Sequence, residues 1–116
     1  MLVALDHVQL AMPSGEEAVA EAFYAGVLGL ERVPKPPVLA ARGGCWFGRD
    51  GVRVHLGVEE PFRPARKAHP CFAVRDLRAF VAAHDLAARW SDEQPGTIRC
   101  YVDDPFGNRL ELVDAG

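Results

Sequence analysis

The sequence lacks most features that would assign it to a specialised class of protein. Its three cysteines, Cys45, Cys71 and Cys100, are an odd number without CxxC spacing, so neither a disulfide framework nor a zinc ribbon is indicated. No apolar stretch approaches the length of a membrane span, and the first residues lack the basic and then apolar form of a signal peptide. We therefore expect a cytoplasmic protein with reduced thiols and no membrane partner.

Charge and size also exclude some classes. The net charge is −3 and no basic run stands out, so nucleic acid is not an expected partner. The 116 residues, 49% of them hydrophobic and 25% charged, suit one globular domain with a substantial core. The sequence has no low-complexity segment.

The first half of the chain predicts a strand, a helix and a hairpin. Apolar residues on both faces predict a strand over Leu2–Ala11, and Ser14 with Glu17 forms a capping box that opens an amphipathic helix ending near Gly29. The prolines of 34–37 predict a turn or a sheet edge. Two strands, 38–47 and 51–58, are expected on either side of an Asp-Gly turn.

The second half repeats this order. A linker is predicted at 59–67, followed by a strand at 68–74 and a helix capped by Asp76. Two strands, 97–103 and 108–113, close the chain around the turn Asp-Pro-Phe-Gly-Asn. The order predicts an internal duplication of a unit of roughly 50–60 residues. Module 1 would span about 1–58 and module 2 about 68–116.

Four side chains occupy matching places in the two halves. His7 and His55 lie in the first and last strands of module 1, and His69 and Glu111 in those of module 2. A carboxylate in the middle of an apolar strand is costly unless it is paired or bound to a metal. Histidine nitrogens with one carboxylate suit Zn, Ni, Fe, Co or Mn. We therefore predict one divalent ion bound by these four residues, although any single histidine is more often a surface or hydrogen-bonded residue.

Several segments resemble the vicinal oxygen chelate superfamily, which includes glyoxalase I, extradiol dioxygenases, fosfomycin-resistance enzymes and bleomycin-binding proteins. The resemblance covers nearly the whole chain, and its most specific part is the run of aspartate, proline, glycine, asparagine and glutamate at 104–111. The other matching segments are Leu5-Asp6-His7-Val8, the helix end at 23–30 and the strand at 68–74.

The resemblance implies an α+β fold of two βαβββ modules, whose curved mixed sheets form a metal-binding cleft, usually in a homodimer. His7, His69 and Glu111 match the two histidines and one carboxylate of the dioxygenases and fosfomycin enzymes. His55 falls where glyoxalase I has a fourth ligand, usually a glutamate. Whether the modules pair within one chain or across a dimer stays open.

The implied activity is that of a metal-dependent enzyme acting on a small molecule with vicinal oxygens. Glu111 or His55 would move a proton. Lyase or isomerase chemistry is favoured over dioxygenase chemistry, because dioxygenases of the superfamily usually have longer chains of four modules. The alternative is a dimeric binding protein of the bleomycin-resistance type, which sequesters an antibiotic or another small aromatic ligand without catalysis.

Three further residues are candidates for substrate binding. Trp46 could line a pocket or lie in the core, and Tyr101 could face the cleft or be an ordinary strand tyrosine. Arg63, just before His69, could meet an anionic substrate, although a solvated linker is the simpler interpretation.

Overall fold

The structure is a computed structural model that describes all 116 residues. The chain divides into two compact units, Met1–Pro64 and Ala65–Gly116. The elements of the first unit are β1 (Val8–Met12), α1 (Glu17–Tyr24), β2 (Glu31–Val33), α2 (Pro37–Ala40), β3 (Cys45–Arg49) and β4 (Val52–Val58). Those of the second unit are β5 (Cys71–Val74), α3 (Leu77–Ala83), β6 (Arg89–Ser91), β7 (Arg99–Asp103) and β8 (Arg109–Asp114).

Each unit contains one four-stranded mixed sheet of the same topology. The strand order is β1-β4-β3-β2 in the first unit and β5-β8-β7-β6 in the second. In both, the first strand lies parallel to the last one and the other pairs are antiparallel. The α+β class and the two βαβββ modules predicted from the sequence are confirmed, with one short additional helix, α2, in the first unit.

Alternation along the strands separates an apolar face from a polar face in the first unit. Leu10, Met12, Phe47, Val54 and Leu56 are buried on one face. The apolar stripe of α1 covers this face, where the Tyr24 and Phe47 rings stack at 5.6 Å. Because successive strand residues point to opposite sides, the residues between these core positions all face the other way.

The second unit follows the same rule. Cys100, Val102, Leu110 and Leu112 are buried, and α3 contributes Leu77 and Val81 to the core. Glu111 lies between Leu110 and Leu112 and therefore points to the polar face, yet its side chain is only 7% exposed. A buried carboxylate on the polar face is the feature that the sequence pattern singled out.

Three predicted strands differ from the observed ones, and two short strands were not predicted. The strand predicted at Leu2–Ala11 begins only at Val8, so His7 precedes it, and the strand predicted at 68–74 begins only at Cys71, so His69 precedes it. The strand predicted over 38–47 is instead α2 followed by β3, because Pro37 occupies the first turn of a helix and Gly43 and Gly44 adopt positive φ before Cys45. The short edge strands β2 and β6 were not predicted.

Both predicted helix caps are also wrong. The helix α1 starts at Glu17 after Glu16, with no side-chain cap, and Glu17 Oε2 instead accepts a hydrogen bond from the backbone N–H of Gly44 at 2.8 Å. Asp76 adopts a left-handed conformation and caps nothing, and Asp114 Oδ1 accepts the N–H of Leu77 instead. Long-range acceptors replace the local ones in both units.

No helix of the protein has the length and apolar character needed to cross a lipid bilayer.

Candidate functional site

The polar face of the first unit contains a stack of three rings. The His55 imidazole lies between the indole of Trp46, at 4.1 Å and 7° between the planes, and the imidazole of His7, at 4.0 Å and 19°. The register explains this arrangement, because Trp46 and His55 are directly paired across β3 and β4. Both faces of the His55 ring are therefore covered by other rings.

His7 is oriented by the residue before it. Its Nδ1 lies 2.9 Å from Asp6 Oδ2, and a second oxygen of Asp6 lies 3.0 Å from the guanidinium of Arg53. The hydrogen bond from His7, together with the charge of Arg53, lowers the pKa of Asp6. Because the carboxylate can only accept, His7 Nδ1 bears a proton, and Nε2 is the nitrogen that has the lone pair in the neutral ring. A carboxylate behind a histidine in this way is typical of metal-binding histidines.

The stack prevents His7 and His55 from binding one ion together as they stand. The lone pair of an imidazole nitrogen lies in the plane of the ring, and these two planes are nearly parallel with centroids 4.0 Å apart. An ion in the plane of one ring would therefore lie outside the plane of the other. Burial, and then the neighbouring His7, lowers the pKa of His55, as expected for a ring held between two others.

A pocket of about 970 Å³ opens over this polar face. His7, Trp46 and His55 line it, and one wall is formed by the connection between β2 and β3. Its volume suits a small organic molecule. Trp46 is thus placed where the sequence predicted a substrate contact, whereas Arg63 is not among the residues that line this pocket.

In the second unit, His69 and Glu111 meet on the polar face of the sheet. His69 Nδ1 lies 2.8 Å from the carbonyl oxygen of Lys67, which can only accept, so this nitrogen bears a proton. His69 Nε2 lies 2.9 Å from Glu111 Oε1. Two groups that both accept would face each other there unless a second proton or a cation lies between them.

Basic and aromatic residues surround this pair. The guanidinium of Arg99 contacts Glu111 Oε2, so His69 and Arg99 hold different oxygens of one carboxylate. Tyr101 is paired directly with Glu111 across β7 and β8, and its ring meets His69 edge to face at 5.4 Å. The guanidinium of Arg109 lies over the Tyr101 ring, 5.4 Å from its centroid.

The turn at 104–108 determines where Glu111 lies. Asp104 Oδ1 accepts the N–H groups of Phe106 and Asn108 at 2.9 Å, and the Asn108 amide donates to Asp104 Oδ2. Asn108 Oδ1 in turn accepts the N–H of Ala65. Both polar side chains are buried. The most specific part of the family resemblance is therefore structural: it anchors the start of β8, three residues before Glu111.

The donor atoms of the second unit suit a divalent cation. A histidine nitrogen with its other N–H on a carbonyl, facing a carboxylate oxygen, is a common arrangement for zinc and related ions. In neither unit do three or more His, Cys, Asp or Glu side chains form a group that could hold an ion. Within each unit the candidate ligands therefore number only two: His7 and His55 in the first, and His69 and Glu111 in the second.

Asp6 and Arg99 were missed in the sequence. Asp6 is adjacent to His7, and a carboxylate next to a histidine could have been recognised as an orienting partner. Arg99 lies two residues before Tyr101 on the same strand and so on the same face. The two-residue spacing could have placed Arg99 beside Glu111 once Tyr101 was known to lie on the polar face of the sheet.

Comparison with known proteins gave structural matches. No family profile and no curated protein matches the sequence. A protein of Bacillus anthracis assigned to the glyoxalase family is 42% identical, with a TM-score of 0.92 over 98% of this chain and 96% of that one. The fosfomycin resistance protein FosX of Listeria monocytogenes is 14% identical, with a TM-score of 0.73 over 100% and 96%. The lactoylglutathione lyase of Agrobacterium tumefaciens is 22% identical, with a TM-score of 0.68 over 97% and 93%; the last two share the fold alone.

Proposed function

Because the chain belongs to the glyoxalase family of the vicinal oxygen chelate superfamily, we propose that it is a metal-dependent enzyme acting on a small molecule with two neighbouring oxygens. One divalent ion, Zn, Ni, Fe, Co or Mn, would be held by His7, His69 and Glu111. Lyase or isomerase chemistry is favoured over dioxygenation. We further propose that the protein acts as a cytoplasmic homodimer.

One observation carries the proposal: the approach of His69 Nε2 to Glu111 Oε1 at 2.9 Å, with His69 Nδ1 already donating to a carbonyl. A cation, like a second proton on the ring, can lie between these two atoms, and a histidine nitrogen with a carboxylate oxygen is a donor set that suits a divalent ion. His7 supports the same interpretation, because its contact with Asp6 leaves Nε2 as the nitrogen able to bind an ion.

The residues around the ion have separate roles in this proposal. A bound divalent ion would withdraw charge from the two substrate oxygens. Arg99 would hold Glu111 Oε2 so that Oε1 stays turned toward His69. His55 or Glu111 would accept the proton that an isomerase or lyase must move. Tyr101, beside His69, would contact the substrate.

We do not include His55 among the ligands that are needed. Its ring is covered on both faces and its plane is nearly parallel to that of His7. The fourth ligand suggested by the sequence would require this stack to open. We propose instead that His55 supports the His7 ring by stacking.

The test is the metal content of untagged protein, measured by elemental mass spectrometry. We expect about one ion per chain in the wild type, and its loss in His7→Ala, His69→Ala and Glu111→Gln. The control is His84→Ala, which changes a histidine that directly follows α3 and whose ring lies 4.8 Å from that of Phe80. Wild-type protein that stays free of metal after reconstitution with each of the five ions would contradict the proposal.

The stacked rings in the pocket also favour a second candidate, a non-catalytic protein that binds small aromatic ligands. Trp46 and His55 line a pocket that is large enough for such a molecule. This candidate predicts that chelator-treated protein binds a drug-like aromatic compound as tightly as untreated protein, and that Trp46→Ala abolishes binding in calorimetry. Binding that requires the ion would exclude it.

A further inference from the structure

The pocket of the first unit has a wall that the second unit lacks. The connection from β2 to β3 spans residues 34–44 and includes α2, whereas the equivalent connection from β6 to β7 spans only residues 92–98. The longer connection contributes Lys35, Leu39 and Arg42 to the pocket lining. The wall therefore brings two cationic side chains to the face that also contains His7.

This wall is held in place at its C-terminal end. Lys35 Nζ donates to the carbonyl oxygen of Gly43 at 2.5 Å, and the N–H of Gly44 donates to Glu17 Oε2. Gly44 has φ +80°, and a Cβ there would lie 2.3 Å from the carbonyl oxygen of Leu56. The wall thus packs against β4 more closely than any other residue would allow, and it requires little ordering when a ligand binds.

The charges in the pocket do not cancel. Four of its lining residues are cations, namely Lys35, Arg42, Arg49 and Arg53, and two are acids, Asp6 and Asp50. Arg53 pairs with Asp6 at 3.0 Å and Arg49 with Asp50 at 3.6 Å. Neither Lys35 nor Arg42 has an acidic partner within salt-bridge distance, although the chain as a whole has a net charge of −3.

Lys35 and Arg42 each have N–H donors beyond those that they use within the protein. Lys35 uses one of its three N–H groups on Gly43 and lies 6.0 Å over the indole of Trp46. Arg42 is exposed and has five N–H donors in a planar fork that matches a carboxylate or a phosphonate. The pair lies in the same pocket as His7.

We infer that Lys35 and Arg42 form a subsite for an anionic group of the substrate. The ligand class is a small molecule that combines two neighbouring oxygens with a carboxylate or phosphonate. The part of this inference that concerns the two neighbouring oxygens rests on the proposed function. The anionic subsite rests only on the residues of the pocket in the first unit.

The test uses two probes that differ only in the anionic group, catechol and 3,4-dihydroxybenzoate. Their dissociation constants would be measured by NMR titration of zinc-loaded and chelator-treated protein, following the indole N–H of Trp46. We expect wild-type protein to bind the carboxylate probe about tenfold more tightly, because two exposed ion pairs are each worth up to about fivefold. The double variant Lys35→Gln and Arg42→Gln should reduce this ratio to about one.

The matched control is Arg49→Gln, which removes a cation of the same pocket that already has an acidic partner. It should leave the tenfold ratio unchanged, and Arg42→Gln alone, an exposed change, should lower the ratio without any effect on folding. A ratio near one in wild-type protein, no binding of either probe, or an equal effect of Arg49→Gln would overturn the inference.

The two proposals can fail separately. If no metal binds but the ratio persists in chelator-treated protein, the metal-dependent function fails and the anionic subsite stands. If metal binds to the wild type and is lost in Glu111→Gln, while the ratio is one, only the subsite fails.

Discussion

The two units have the same strand topology, and the strand register within each sheet shows which positions of the two polar faces are equivalent. Gln9 lies opposite His55 in the first unit, and Cys71 lies opposite Glu111 in the second. His55 and Glu111 are therefore counterparts. His7 lies two residues before Gln9, and His69 lies two residues before Cys71. These two histidines are therefore counterparts as well.

The same matching extends to the third strand of each unit. Trp46 is paired with His55, and Tyr101 with Glu111. Two residues before them, the first unit has Gly44 and the second has Arg99. The glycine lets the backbone approach the carbonyl oxygen of Leu56 closely, whereas the arginine brings a guanidinium to the carboxylate.

These substitutions give the two faces different chemistry on one scaffold. The first unit presents a stack of aromatic rings under a pocket, and the second presents a buried carboxylate between a histidine and an arginine. We infer that the first face is adapted to contact an organic ligand and that the second is adapted to hold a cation.

The largest expected effect compares the two counterpart positions directly. Glu111→Gln should lower zinc affinity at least about 100-fold, because it removes a ligand, and should lower the free energy of unfolding by about 3 kcal/mol, because Arg99 loses its partner in a mostly buried place. His55→Gln removes only the ring that supports His7 and should lower zinc affinity about tenfold. Competition with a chromophoric chelator measures the zinc affinity, and urea unfolding measures the free energy of unfolding. Equal losses of affinity would make His55 a ligand and refute the asymmetry.

The next effect compares the two turns that precede β4 and β8. Asp104→Ala should lower the free energy of unfolding by about 3 kcal/mol, since it leaves buried N–H groups of the turn without an acceptor. Asp50→Asn in the exposed Asp-Gly turn should change it by less than about 0.5 kcal/mol, because asparagine tolerates the φ of +51° found there. Urea denaturation of both variants measures the loss of unfolding free energy. Similar losses would show that the turn at 104–108 stabilises its unit no more than the Asp-Gly turn does.

A smaller effect tests the ring stack. His55→Phe should keep zinc affinity within about threefold of wild type, because a phenyl ring can still support His7, whereas His55→Ala should lower it about tenfold. If the affinity of His55→Phe fell as far as that of His55→Ala, a nitrogen at this position would be required. The stacking role would then be wrong.

The last comparison concerns the cysteines and changes neither the sequence nor the stability of the protein. Cys45 and Cys100 are counterparts on the buried faces; burial raises the pKa of all three thiols, so exposure and not the pKa distinguishes Cys71. Cys71 is exposed and lies beside Glu111 in the register. An alkylating reagent at neutral pH should modify Cys71 at least about 100-fold faster than the other two, which mass spectrometry of the labelled protein can measure. Comparable rates would mean that the two cores open readily.

Much of the architecture followed from local patterns in the sequence. Alternation predicted β4, β7 and β8, apolar spacing predicted the two long helices, and the duplicated order predicted two modules of one topology. The same alternation marked Glu111 as a carboxylate among apolar neighbours. Period-two and period-3.6 patterns are properties of single segments, so one sequence is enough to show them.

Only the tertiary structure decided the partners of each side chain. The acceptors of the N–H groups at Gly44 and Leu77 lie 27 and 37 residues away, so both capping predictions failed. The stack on His55 and the contact of Arg99 with Glu111 likewise depend on the strand register, and so does the pocket wall that carries Lys35 and Arg42. Which residue lies opposite another is determined by packing across the whole sheet, and no short segment of sequence contains that information.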